Sequence, residues 1–240
     1  MSTRNLLYAK KIDINQHVSV AIPTVGEVID NEDPYYGLVT MLTAMPIDLM
    51  LALDKAGIDF TKINDYELFL RLFPEIQSTP REITSMVFGD LDLTKFRFDI
   101  NPANGMMVLN NKEEGIIIDR AIHGKIAATL RHIHHLKKDR RKPGNEAAKD
   151  YLIERAKIKR DRNKKRQKDS QLESLIVSMV NTEQFKYDFE STRDLTIYQF
   201  NLSVKQIVHK VDYEHKMHGI YAGTIDSKKL SHDDLNWLSN

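Results

Sequence analysis

The sequence predicts an α+β protein, predominantly helical, with an N-terminal hairpin and a small antiparallel meander packed on the helices. Three observations carry this. Alternation of apolar and polar residues with a period of two is confined to residues 6–22 and a stretch within 86–118. Short apolar segments with helix-start signals occupy the region between them. From Asp119 onward the apolar residues recur every three or four positions, the spacing of a helix face.

The first 22 residues alternate at Ile12, Ile14, Val18, Val20 and Ile22, with Asn15-Gln16 as the turn of a hairpin. At "TVGE", Thr24 and Glu27 have the spacing of a capping box, in which each side chain satisfies an orphan backbone donor at the helix start. An acidic loop, "DNEDP", follows, and its Pro34 suits the first turn of the next helix. In "YYGLVTMLTAMPIDLMLALDKAG" Pro46 divides two apolar helices, and Gly57 closes the second. Asn64 and Glu67 repeat the capping-box spacing, and Phe73-Pro74 is expected to stop that helix. "KFRFDI", "MMVLN" and "IIID", separated by "NPANG" and "NKEEG", read as a three-stranded meander. A sheet of that size needs helices to pack on.

Beyond the meander, Ile122, Ile126, Leu130 and Ile133 form one stripe on a helix expected to continue to Lys138 and to be interrupted by Pro143-Gly144. The next helix starts amphipathic at Ala148, Leu152 and Ala156, but nothing after Ile158 is suited to burial until Leu172. Leu172, Leu175, Ile176 and Met179 restore a stripe, and Ile197, Phe200, Val204, Ile207 and Val211 form the most regular one, with Gly219 as terminator. Ser231 is placed to cap a last turn carrying Leu235, Trp237 and Leu238. Two regions are expected: residues 1–118, a helical cluster with hairpin and meander, and residues 119–240, a helical region with a basic arm at 137–168.

Charge singles out that arm. From Arg131 to Lys168 there are 16 Lys/Arg against 5 Asp/Glu, a net of +11, while the rest of the chain carries −10. The overall +1 conceals a body of one sign bearing a segment of the other, suited to an acidic partner, to a second copy, or to its own body. The candidate partner-binding residues are Arg140, Arg141, Lys142, Arg160, Arg162, Lys164, Lys165 and Arg166, together with Trp237 as an aromatic anchor. Nucleic acid is the alternative ligand, but Tyr151 is alone as a stacking residue and no helix-turn-helix or RNP pattern accompanies the cations.

Catalytic and cofactor motifs are missing. Glycine-rich phosphate loops and H-E-x-x-H are absent, and zero cysteines remove thiolate chemistry. His132 and His135 are three apart but lack a third ligand, so no metal or other cofactor is expected. Asp90, Asp92 and Lys95 lack the acid–x–lysine spacing of a metal nuclease and serve equally well as turn residues. No apolar run reaches the length of a membrane span. A non-enzymatic role is expected.

Taken together, "IPTVGEVIDNEDPYYGLVTMLTAMPIDLM", "IDFTKINDYELFLRLF", "IDRAIHGKIAATLRHIHHLKKDRRKPGNEAAKDYLIERAK", "QLESLIVSMVNTEQFKYDFESTRDLTIYQFNLSVKQI" and "MHGIYAGTIDSKKLSHDDLNWLS" resemble a protein family of tailed phages and prophages of low-GC Gram-positive bacteria. The resemblance spans nearly the whole chain and implies a protein of the tail-morphogenesis region. The implied role is a tail assembly chaperone that binds tape-measure or unpolymerised tail-tube subunits in the host cytoplasm. A nucleic-acid-binding phage protein and a structural tail or connector component of the virion are the alternatives. The resemblance carries no catalytic residues.

Overall fold

The computed structural model describes residues 6–163 and 170–238. Strands β1 (Lys11–Asp13) and β2 (Ser19–Ala21) pair antiparallel, Ile12 opposite Val20. Their turn is held by the Asn15 side chain, which accepts from the amides of His17 and Val18 at 2.9 and 2.7 Å. Helix α1 (Val25–Asp30) starts at Thr24 with the expected capping box. Helix α2 (Glu32–Thr43) carries Pro34 in its first turn, and α3 (Met50–Lys55) follows a turn that holds Pro46.

Helix α4 (Asp65–Ser78) begins at the capping box of Asn64 and Glu67 but does not stop at Pro74. The helix runs four residues past it. Interior proline removes a donor and costs about 3 kcal/mol, and tertiary contacts offset that here. Phe73 and Ile76 are buried on either side of Pro74. The Gln77 amide donates to the carbonyls of Leu93 and Phe96 at 2.9 and 3.0 Å, fixing the last turn. Helix α5 (Arg81–Phe88), not foreseen from the sequence, lays Ile83, Val87 and Phe88 on the core.

The meander forms as expected. Strands β3 (Arg97–Ile100), β4 (Met107–Asn111) and β5 (Ile116–Ile118) are antiparallel in that order, with Phe98 opposite Leu109 and Leu109 opposite Ile118. The buried Tyr66 of α4 ties it to the helices, its hydroxyl lying 3.1 and 3.0 Å from the carbonyls of Met107 and Ile118.

Helix α6 (Arg120–Ile133) buries Ile126, Leu130 and Ile133 and packs against α2, α4, β2 and β5. Helix α7 (Glu146–Asn163) packs on α3, and its Ile153 enters a second apolar cluster with Ile47, Leu53, Phe60 and Leu68. Helices α8 (Gln171–Val180) and α9 (Phe189–Asp194) lead to α10 (Ile197–Tyr221). The main cluster draws on residues from Leu6 to Phe200 and so joins the hairpin, the meander and α10.

Two helix starts are joined back to back. Thr24 and Thr196 are both capping-box residues and form an isolated antiparallel bridge. The Val25 amide donates to Leu195 O and the Ile197 amide to Pro23 O, both at 2.8 Å. Orphan donors of α1 and α10 are thereby satisfied across the junction.

Gly219 is not the terminator of α10. The helix ends at Tyr221, and Gly223, at φ +71°, takes the left-handed position after it. Gly219 instead makes room for the returning chain. A Cβ there would stand 2.5 Å from Ile225 Cδ1, while the Gly219 carbonyl accepts from the amides of Thr224 and Ile225.

Two outcomes test these readings. Pro74→Ala returns an amide donor to α4 and should raise stability by about 1–3 kcal/mol in urea unfolding; an unchanged midpoint would mean that the turn has fully relaxed around proline. Lys228 and Lys229 are surface residues, so Gly219→Ala, by displacing the segment at Ile225, should speed trypsin cleavage after them, and adding Ile225→Ala should return it to the original rate. Equal cleavage in all three proteins would remove the steric role of Gly219.

Candidate functional site: a basic loop over an apolar cleft

The histidine-rich segment divides sharply. Helix α6 ends at Ile133, five residues before the expected end at Lys138. His135 is left-handed at φ 52°, the Leu136 amide donates to Arg131 O, and the His135 amide donates to His132 O. This is a Schellman stop with histidine where glycine is usual. The cause is His134, which turns inward to hydrogen-bond the buried Tyr35 hydroxyl at 2.9 Å. A long-range contact overrides the local preference to continue the helix.

His123 is also structural. Its ring stacks on Phe69 at 4.2 Å, and Nε2 lies 3.3 Å from Leu42 O. Arg131 donates to Thr43 O, so α6 supplies partners for two carbonyls in the last turn of α2. His132 and His135 sit 6.5 Å apart, ring centre to ring centre, both beside Tyr198. Among the described residues no group of three or more His, Asp or Glu is arranged to hold a metal ion. Asp92 caps a turn through Thr94, and Lys95 pairs with Glu113 and Glu114.

Past His135 the chain forms one wall of a cleft of about 310 Å³. Met45, Pro46, Ile47, Phe60 and Ile63 give it an apolar floor, Asn64 and Asp65 at the start of α4 form one side, and Lys138 to Pro143 form the other. Lys138 bridges the gap with a 2.8 Å ion pair to Asp65. Burial alone would raise the Asp65 carboxyl, but the Lys138 ammonium, both as hydrogen-bond donor and as charge, brings it below the usual carboxylate range. Arg141 grips Asp139 through Nε and Nη2, which lowers the Asp139 carboxyl and raises the guanidinium. Both carboxylates on the cleft are thus taken by internal cations. Arg140 and Lys142 are exposed and have no ion pair among the described residues.

The other sequence candidates lie elsewhere. Arg160 and Arg162 are exposed near the end of α7, with Arg160 3.2 Å from its neighbour Asp161. Lys164, Lys165 and Arg166 lie outside the described residues. Trp237 lies on the chain's own α10: its carbonyl accepts from Gln206 at 2.8 Å, and Lys210 stands 5.8 Å from its ring centre. Lys216 anchors the same tail through Asp234 at 2.6 Å. The cleft floor was not legible in the sequence, because segments 45–47, 60–65 and 138–143 meet only through folding. What the sequence did mark was the basic wall, where Arg140, Arg141 and Lys142 line the cleft beside Lys138.

A family model described as the YomV second domain matches residues 163–240, of which α8, α9, α10 and the tail to Leu238 are described. YomV is a Bacillus prophage-type protein, so this part of the chain is similar to a phage-derived domain. No curated protein and no solved structure matches the chain. Among the described residues no helix is long and apolar enough to cross a membrane.

Burial pushes His123 and His134 down to about 4, against about 6.5 in an unfolded chain. Below 6.5 the unfolded state therefore binds protons that the folded state refuses. The stability held by the neutral rings is complete above that value and is lost as pH falls toward 4. Between pH 6 and 5 the unfolding free energy should drop by about 2 kcal/mol per pH unit. Urea titrations at several pH values check this; a flat profile would mean that the rings are accessible to protons in the folded state.

Proposed function

We propose that this is a non-enzymatic phage morphogenesis protein, a tail assembly chaperone that binds tape-measure or tail-tube subunits in the host cytoplasm. The observation that carries the reading is the cleft: an apolar floor beneath a fixed basic loop, a surface suited to capturing polypeptide. Similarity of residues 163–240 to the YomV second domain supports the phage setting. The near-exclusive use of buried titratable groups as structural partners supports a binding role. Tyr35, His134 and His123 are all committed to helix–helix contacts.

Co-expression with the tail proteins of the same phage, followed by capture and a salt titration, tests the proposal. A complex resting on six to ten phosphate contacts loses roughly 10³–10⁵ in affinity between about 50 and 200 mM salt. Capture of a tail protein through apolar contact should lose less than about tenfold over that range. Failure to capture either class of tail subunit, or recovery of nucleic acid with the steeper salt dependence, would overturn it.

A further inference from the structure

We propose that the cleft is the docking site for an acidic polypeptide segment carrying one bulky apolar side chain, supplied by the protein's partner. This rests on the binding role above and assigns it a place and a ligand chemistry. The floor presents the half-buried Met45 and Ile63, backed by the buried Ile47 and Phe60, and about 310 Å³ lies at the lower end of ligand-pocket sizes, room for side chains rather than for a whole helix. An apolar anchor from an extended or turning segment fits that space.

The rim decides the sign of the flanking residues. Asp65 and Asp139 are neutralised internally by Lys138 and Arg141, so they do not repel an incoming carboxylate. Arg140 and Lys142 remain exposed and available beside the apolar floor. A partner carboxylate gains those cations without breaking an existing pair. The Lys138–Asp65 pair also ties the loop to the start of α4 before binding, which reduces the ordering cost of association.

Nucleic acid fits the same surface poorly. Phe60 is only 4% exposed and presents no face for base stacking, and the exposed Tyr151 belongs to α7 and does not line the cleft. The chain's own acidic tail is engaged elsewhere, through Asp234 on Lys216 and the Trp237 carbonyl on Gln206.

The test uses the full chain and fluorescein-labelled synthetic peptides with glutamates flanking one tryptophan. The acidic, anchored peptide should bind. Replacing its glutamates by glutamine, or its tryptophan by alanine, should each weaken binding about tenfold or more. Arg140→Glu with Lys142→Glu should weaken it equally while leaving the melting temperature unchanged, since exposed substitutions usually cost within about 0.5 kcal/mol. Binding indifferent to the charge reversal, or a single-stranded oligonucleotide that binds in a manner dependent on the same two residues, would overturn the assignment. So would a peptide of residues 231–238 binding in preference and a tail-dependent dimer, which would make the occupant a second copy. Capture of tail subunits by the charge-reversed protein separates the two levels: capture retained removes the cleft and keeps the chaperone role, whereas no capture even by the unaltered protein removes the role itself.

Discussion

The burial of one face of α6 is the constraint on which the rest of the structure depends. Ile126, Leu130 and Ile133 each expose 1% or less of their surface, and burying such side chains stabilises by about 1.5–3 kcal/mol apiece. The same helix contacts α2, α4, α10, β2 and β5, so it joins the hairpin, the meander and the C-terminal helices. His123 and Arg131 extend its influence by satisfying carbonyls at the end of α2. Carbonyls in a helix's last turn need partners from outside the helix, and here they fix where the turn at Met45–Ile47 begins.

That geometry makes a surface out of what composition describes only as a charge run. The loop leaves α6 at a position set by the Tyr35–His134 hydrogen bond, then turns back over the start of α4. The Lys138–Asp65 and Arg141–Asp139 pairs are partly exposed, and screening by solvent leaves them little effect on stability. Their effect is orientation. They quench the two carboxylates of the cleft and leave Arg140 and Lys142 on its edge. Cations on α7 are differently placed: Lys149 is committed to Asp59 and Glu146, whereas Arg160, paired with its neighbour Asp161, and Arg162 are exposed near the helix end.

The part of the chain similar to the YomV second domain is bound into the remainder through its helices. The Thr24–Thr196 bridge sets two capped helix starts against each other, Glu32 accepts from the Leu172 amide at the start of α8, and Arg193 pairs with Asp30. Gly26 permits this approach, since a Cβ there would already lie 3.3 Å from Arg193. Phe200, Ile197 and Leu172 complete the contact from the apolar side.

What the sequence determined by itself was local. Capping boxes at Thr24–Glu27 and Asn64–Glu67, the Asn15 turn and the strands around Asn101–Gly105 are made by residues a few positions apart, so spacing alone specifies them. The stripes on α6, α8 and α10 were equally legible, because periodicity reports which face is apolar. Tertiary structure decided the rest. Pro74 is carried through α4 because Phe73 and Ile76 are buried around it, α6 stops at Ile133 because His134 finds Tyr35, and Gly219 serves Ile225 rather than the helix end. Helices α5 and α9, eight and six residues long, were not foreseen, although Pro80 and Gly89 bound the first and the Asp188–Ser191 capping box opens the second. The cleft belongs to this second class, since its three segments are brought together by packing across tens of residues, and no local pattern records with which distant side chains a residue will share a surface.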